Sequence, residues 1–143
     1  MNTIVQTVGV VVLKENKVLL VKSGEGSGHI TGTYGLPSGR IDFGETATDA
    51  AARELQEETG LFVNQKDLVE FPENKFKATI PRKDSPPVTF SWQVFFAKNT
   101  TGQLKISDET IPEWVVIDQL DLFNLLPNTK VAITKAHKYF SRY

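Results

Sequence analysis

The stretch from Ser38 to Leu61, SGRIDFGETATDAAARELQEETGL, constrains this 143-residue chain more than any other. It sets Glu45, Arg53, Glu54, Glu57 and Glu58 at fixed spacing on a loop followed by a helix. Thr46 is placed as an N-cap, with Asp49 three residues on in a capping-box variant. Gly60 stands where a left-handed residue closes a helix. The helix is therefore expected over Ala47 to Thr59. At about 100° per residue, Glu54, Glu57 and Glu58 fall within an arc of about 100°. Ala47 and Ala50 are placed on that same face, leaving room above it, and Ala52, Leu55 and Thr59 on the opposite, inward side. Each like-charge pair at i,i+3 or i,i+4 costs roughly 0.2–0.5 kcal/mol without a counter-ion, and Arg53 relieves part of this through Glu57. The acids also sit towards the C-terminal half, the wrong end for the helix dipole. Helix stability does not explain them. Holding a divalent metal against a phosphate does.

Composition excludes several other chemistries. The chain has no cysteine, so disulfides, thiol catalysis and thiolate metal sites are ruled out. Its two histidines, His29 and His137, are too few and too isolated for a zinc site. A formal net charge of −1 argues against stable binding to nucleic acid or to an anionic membrane. No apolar run approaches the length of a membrane span, and the N-terminus lacks the basic region and cleavage site of a signal peptide. The cytoplasm is the expected compartment, so the sequon at Asn99 carries no weight. With no internal repeat and no linker, residues 1–143 are expected to form one domain.

Around the central stretch, Ile4 to Leu13 reads as a buried strand, hairpin-paired through Glu15-Asn16 with a second strand, Lys17 to Lys22. Ser23 to Gly32 holds four glycines in ten residues but matches neither the Walker nor the dinucleotide pattern, so it reads as a flexible loop bordering a site. Tyr34 to Pro37 and Ile41 to Phe43 are short extended segments. Leu61 to Phe71 and Lys75 to Ile80 are strands, and Arg82 to Pro87 is a loop tip. Val88 to Ala97 alternates as a central strand, with Val88, Phe90, Trp92, Val94 and Phe96 on one face, read chiefly as core. Asn99 to Gln103 is a turn, with Leu104 to Ile106 pairing beyond it. Glu113 to Ile117 is the last strand. Asp118 caps a short helix near Leu120 to Leu125, and Asn128 to Tyr139 is a C-terminal helix. Strands around a helix predict an α/β (α+β) sandwich, with a mixed β-sheet between helices.

Read as spacing, Gly39 is followed after five residues by Glu45, and after seven more by Arg53-Glu54-Leu55-Gln56-Glu57-Glu58-Thr59-Gly60-Leu61. This resembles the Nudix box, Gly-x5-Glu-x7-Arg-Glu-U-x-Glu-Glu-x-Gly-U, at every specified position. Strictly defined residues at background frequencies of about 7% each would coincide by chance on the order of once per hundred million start positions. The resemblance implies the Nudix fold and a hydrolase that uses Mg²⁺ or Mn²⁺ to cleave a diphosphate bond in a nucleoside diphosphate linked to another group. It implies Glu54, Glu57 and Glu58 as metal ligands, joined by the Ser38 carbonyl where relatives usually carry glycine. Glu45 and Arg53, with Gly39 and Gly60, would brace the loop and helix and orient the glutamates. The general base is left between Glu54, Glu57 and an acid from a later loop, for which Asp108 and Glu109 are the candidates. The chemistry agrees: metal ions neutralise phosphate oxygens and acidify a water, and hard cations prefer oxygen donors.

The substrate lies outside the box. The marker positions of the ADP-ribose and diadenosine polyphosphate types hold Phe76, and Ala78 and Thr79, instead of proline and tyrosine. The NADH-type run and the coenzyme A signature are absent. Nucleoside triphosphate pyrophosphohydrolysis is the default expectation. ADP-ribose or nucleotide-sugar pyrophosphatase activity and a non-catalytic nucleotide-binding module are the alternatives. Tyr34 and Phe43 are the candidates for base contact, Lys22 and Arg40 for phosphate contact, and the selecting residues are expected from loops 23–35, 72–87 and 106–112. The aromatic strands leave a homodimer open.

Overall fold

The computed structural model describes residues 3–140. In chain order its elements are β1 (Ile4–Val11), β2 (Leu13–Lys14), β3 (Lys17–Ser23), β4 (Tyr34–Gly35), β5 (Ser38–Arg40) and α1 (Ala47–Thr59). Then come β6 (Leu61–Val63), β7 (Leu68–Val69), β8 (Lys75–Ile80), β9 (Val88–Ala97), β10 (Thr100–Gly102), β11 (Thr110–Val116) and α2 (Thr129–Phe140). The main sheet runs β5-β1-β9-β7, with β8 also on β9. A second sheet is formed by β11, β3, β2 and β4, and β6 pairs with β10 in a short ribbon.

The β-branched run of β1 lies parallel to β9 over its whole length, from Ile4 opposite Thr89 to Val11 opposite Phe96. A strand buried on both faces needs near-continuous apolar sequence, and β1 has it. One face, with Val8, Val10, Phe95 and Ala97, packs on Ala50, Ala51 and Leu55 of α1. The other, with Val11, Val94 and Phe96, packs on Ala132, Ile133, Ala136 and Phe140 of α2. The Phe140 ring stacks on Phe96 at 4.3 Å. This is the expected α+β sandwich, a mixed sheet between helices. Among the described residues, no helix is long and apolar enough to cross a membrane.

Several local expectations are corrected. The strand from Ile4 does not form a hairpin with Lys17–Lys22: it ends at Val11, and the short strand Leu13–Lys14 pairs back on β3. Leu61–Phe71 is not one strand, because Asn64-Gln65-Lys66-Asp67 interrupts it with a 3₁₀ turn. Asn99–Gln103 holds strand β10 instead of a simple turn, while Leu104–Ile106 is irregular. Extended structure before α1 falls on β5, not on Ile41–Phe43. The segment after β11 is a 3₁₀ helix, Ile117–Leu122, with no side-chain cap from Asp118. Ala50 is fully buried, so no room opens above it.

Candidate active site

Helix α1 starts and stops as its residues dictate. The Thr46 hydroxyl accepts from Asp49 N at 3.1 Å, and the Asp49 carboxylate accepts from Thr46 N at 3.1 Å. At the other end Gly60 takes φ 87°, and its N–H donates to Gln56 O. The buried stripe is centred on Ala51 and Leu55. The three glutamates are therefore not equivalent: Glu54 and Glu58 turn towards the edge of the sheet, and Glu57 stands exposed.

That edge is β5. Gly39 lies opposite Val8, and Ser38 opposite Gly9. Val10 N donates to Pro37 O and Ile41 N to Gln6 O. This phase puts Ser38 at a non-hydrogen-bonded position, where its N–H and C=O point away from β1. The N–H donates to Glu58 Oε1 at 2.7 Å, so the carbonyl of the same residue faces the carboxylate side. A Cβ at Gly39 would collide with the Glu54 carboxyl, so glycine there is a condition of the close approach of helix and strand.

Arg53 gathers the remaining charges. Its Nε and Nη2 clamp the Glu45 carboxylate, both at 2.8 Å. Nη1 donates to Glu54 Oε1 at 2.6 Å and reaches Glu57 at 3.3 Å, while Nη2 also donates to Arg40 O at 2.9 Å. The Arg53 bonds hold the Glu45 carboxyl below the usual range. The same clamp, with Glu45 its largest cause, raises the Arg53 guanidinium further above its ordinary value. Burial raises the Glu54 carboxyl, partly offset by Arg53. Burial pushes Glu58 up to about 8, against the Ser38 N–H and helped by the charges of Glu54, Glu57 and Glu109.

Glu58 thus has a backbone donor and, among the described residues, no cationic side chain within ion-pair distance. In this arrangement no three acidic or imidazole groups among the described residues converge at coordinating distance. Arg53 draws Glu54 and Glu57 to itself, and Ser38 N holds Glu58. The donor set nevertheless fits a hard divalent cation: three carboxylates, one of them half-buried without a counter-charge, and a carbonyl aimed to the same side.

Glu54, Glu58, Ser38, Gly39 and Arg40 form one end of a cavity of about 230 Å³. Strand pairing shows where the cavity leads. Arg40 lies opposite Thr7, Thr7 beside Trp92, and Trp92 opposite Phe76. This single row crosses β5, β1, β9 and β8, three strand spacings or roughly 14 Å. All four residues line the cavity, with Phe90 and Val94 alongside and the start of α2 above. The cavity therefore runs from the carboxylates to an aromatic wall of Phe76, Phe90 and Trp92. His29 and Arg82 stand at the rim beside Phe90.

Of the four expected substrate contacts, only Arg40 lines this cavity. Tyr34 packs edge-on against Phe123 at 5.0 Å, and Lys22 is paired within the second sheet between Tyr34 and Ile111. Phe43 is fully exposed, outside the lining. The aromatics that do line it, Phe90 and Trp92, sit in the alternating strand read as core. That reading holds for Phe96, Val94 and the buried Phe90, while Trp92 is only partly buried; Val94, Phe90 and Trp92 also line the cavity. The length of β9 beyond α2 was the signal available.

The three loops do meet. Gly24 N donates to Glu109 O and Gly26 N to Asp108 O, while Lys83 N donates to Gly28 O. Thr110 Oγ1 donates to Glu58 O at 3.1 Å. Of the two later acids, Glu109 is near enough to Glu58 to act on its carboxyl, whereas Asp108 lies against Gly26.

A family model described as NUDIX domain matches residues 3–136. The chain is 33% identical over 121 residues to the oxidized purine nucleoside triphosphate hydrolase of Mus musculus, covering 83% of this chain and 70% of that protein. It is 39% identical over 59 residues to the ADP-ribose pyrophosphatase of Methanocaldococcus jannaschii, covering 41% of this chain and 34% of that one. Among solved structures, the MutT NUDIX hydrolase from Burkholderia pseudomallei superposes with a TM-score of 0.74 at 20% identity, over 94% of this chain and 98% of that chain.

Proposed function

The chain belongs to the Nudix hydrolase family, and from that premise we propose that it is a metal-dependent nucleoside triphosphate pyrophosphohydrolase acting on a purine nucleotide. The observation that carries this reading is the row from Arg40 through Thr7 and Trp92 to Phe76, which joins the box carboxylates to an aromatic wall in one cavity. A base stacks on the wall and its phosphates lie over the β5 edge. The activity named for the mouse relative supports a purine triphosphate.

Glu54, Glu57, Glu58 and the Ser38 carbonyl would hold Mg²⁺ or Mn²⁺. A cation bound there neutralises phosphate oxygens and acidifies a water. Arg53, anchored on Glu45, would fix the helix face against the loop and hold Glu54 and Glu57 on that face until a cation takes them. Glu54 lines the cavity, and the proposed role of its carboxylate is to take the proton of the attacking water. Arg40, on the same wall, meets phosphate oxygens. Water attack on one phosphorus breaks the bond to the neighbouring bridging oxygen and releases nucleoside monophosphate and pyrophosphate.

A second reading, ADP-ribose hydrolysis, is favoured by the shorter match to the Methanocaldococcus protein. One screen separates the two. With Mg²⁺, purine nucleoside triphosphates should yield pyrophosphate and outpace ADP-ribose, nucleotide sugars and dinucleoside polyphosphates. Faster turnover of ADP-ribose would transfer the assignment to the second reading.

A further inference from the structure

Arg82 is the charged side chain at the aromatic end of the cavity, and its surroundings are unlike those of any box residue. Its Nη1 lies 3.1 Å from His29 Nδ1 and 3.3 Å from His29 Nε2. An in-plane hydrogen bond reaches one ring nitrogen, so near-equal distances to both put Nη1 over the face of the imidazole with its N–H directed at the ring. That ring is 6.2 Å from Phe90, and Phe90 is 5.6 Å from Trp92, giving a ladder of four planar groups along the wall. Burial, and then the Arg82 charge, lower the His29 pKa, which favours the neutral ring beneath Arg82. Among the described residues, no carboxylate lies within ion-pair distance of Arg82.

The two loops are shaped to hold it there. His29 and Arg82 form a β-bridge, and Lys83 N donates to Gly28 O at 3.1 Å. A Cβ at Gly28 would strike Arg82 Nη2. A half-buried guanidinium that gives Nη1 to His29 and has no carboxylate keeps Nε and Nη2 as a pair of donors for two adjacent acceptors. With the phosphates read at the β5 edge and Arg82 beside Phe90 at the aromatic wall, the acceptors belong to the base.

We propose that Arg82, carried on His29, is a specificity-determining residue that binds the base edge of the nucleotide through two neighbouring acceptors, such as O6 and N7 of a 6-oxopurine, and so disfavours 6-aminopurines. This rests on the reading that a nucleotide occupies the cavity. A 6-amino group presents a donor where the fork needs an acceptor.

Calorimetric binding of GMP, IMP, AMP and inorganic pyrophosphate to the intact protein tests it without requiring turnover. The wild type should prefer GMP and IMP to AMP. Arg82→Ala should weaken GMP and IMP by about 10- to 100-fold and AMP by less than about 3-fold. Arg82→Lys, which keeps the charge and loses the fork, should rescue little. Lys83→Ala removes the Lys83 Nζ bond to Glu25 O and should leave the preference intact. Full rescue by lysine, an unchanged preference in Arg82→Ala, or an equal loss for all ligands including pyrophosphate would overturn the proposal. Failure of the wild type to bind any nucleotide would instead remove the nucleotide reading on which it stands.

Discussion

The two ends of the cavity are built on opposite plans. At the β5 edge, one contiguous stretch supplies Ser38, Gly39, Glu45 and the α1 glutamates, and Arg53 ties four carboxylates, those of Asp42, Glu45, Glu54 and Glu57. At the aromatic end, Phe76, His29, Arg82, Phe90 and Trp92 come from distant parts of the chain, and the cation rests on an imidazole. The first end has charges fixed for one reaction. The second has shape and a cation, with the aromatics on β8 and β9 and only His29 and Arg82 on loops. Chemistry and selection are thus separable here, and the separation can be tested.

The largest effect should come from Glu54→Gln. Loss of a positioned proton acceptor should lower kcat by about 10²- to 10⁴-fold while GMP binding stays within about threefold, as steady-state kinetics and calorimetry would show. Loss of both together would mean that the two ends are not separable. Arg53→Ala comes next: it leaves Glu45 and Glu54 without their charged donor, and should destabilise the fold by about 1–3 kcal/mol in urea unfolding as well as slow turnover. Unchanged stability would deny Arg53 its bracing role.

Smaller again is Thr46→Ala, which removes the N-cap and should cost about 1 kcal/mol at neutral pH. The pH course of that loss has a definite sign. The Asp49 carboxyl is held below its usual value by the Thr46 backbone and side chain. A lowered carboxyl stabilises above the unfolded-state pKa and loses that contribution as pH falls through the folded value. The gap between wild type and Thr46→Ala should therefore narrow in acid, and a gap that widened would contradict the capping box. Smallest of all, Phe43→Ser should leave KM and kcat within about twofold, because the ring stands clear of the cavity; a tenfold rise in KM would return Phe43 to the base site.

The same contrast decides what could be read from residues alone. The Ala47–Thr59 helix, its Thr46–Asp49 box and its Gly60 terminus depend on neighbours within four positions, and so were legible. The parallel register of β1 on β9 joins residues more than eighty apart, and nothing in Ile4–Val11 distinguishes it from a hairpin strand. The burial of Ala50 and the exposure of Glu57 depend on where the sheet meets α1, which the helical period leaves undetermined. Whether Phe90 and Trp92 are core or cavity depends on how far α2 extends over β9. Tyr34 precedes the box and Phe43 stands within its first loop, but β4 and the loop before α1 carry both outside the cavity.

The central claim is that Glu54, Glu57, Glu58 and the Ser38 carbonyl form a divalent-cation site at the β5 edge. Anomalous diffraction from crystals soaked in Mn²⁺ addresses it directly. The account predicts a peak at that edge, with Glu58 ligated and Glu54 and Glu57 drawn off Arg53. A peak elsewhere, or an edge that stays empty at Mn²⁺ concentrations supporting full activity, would contradict it.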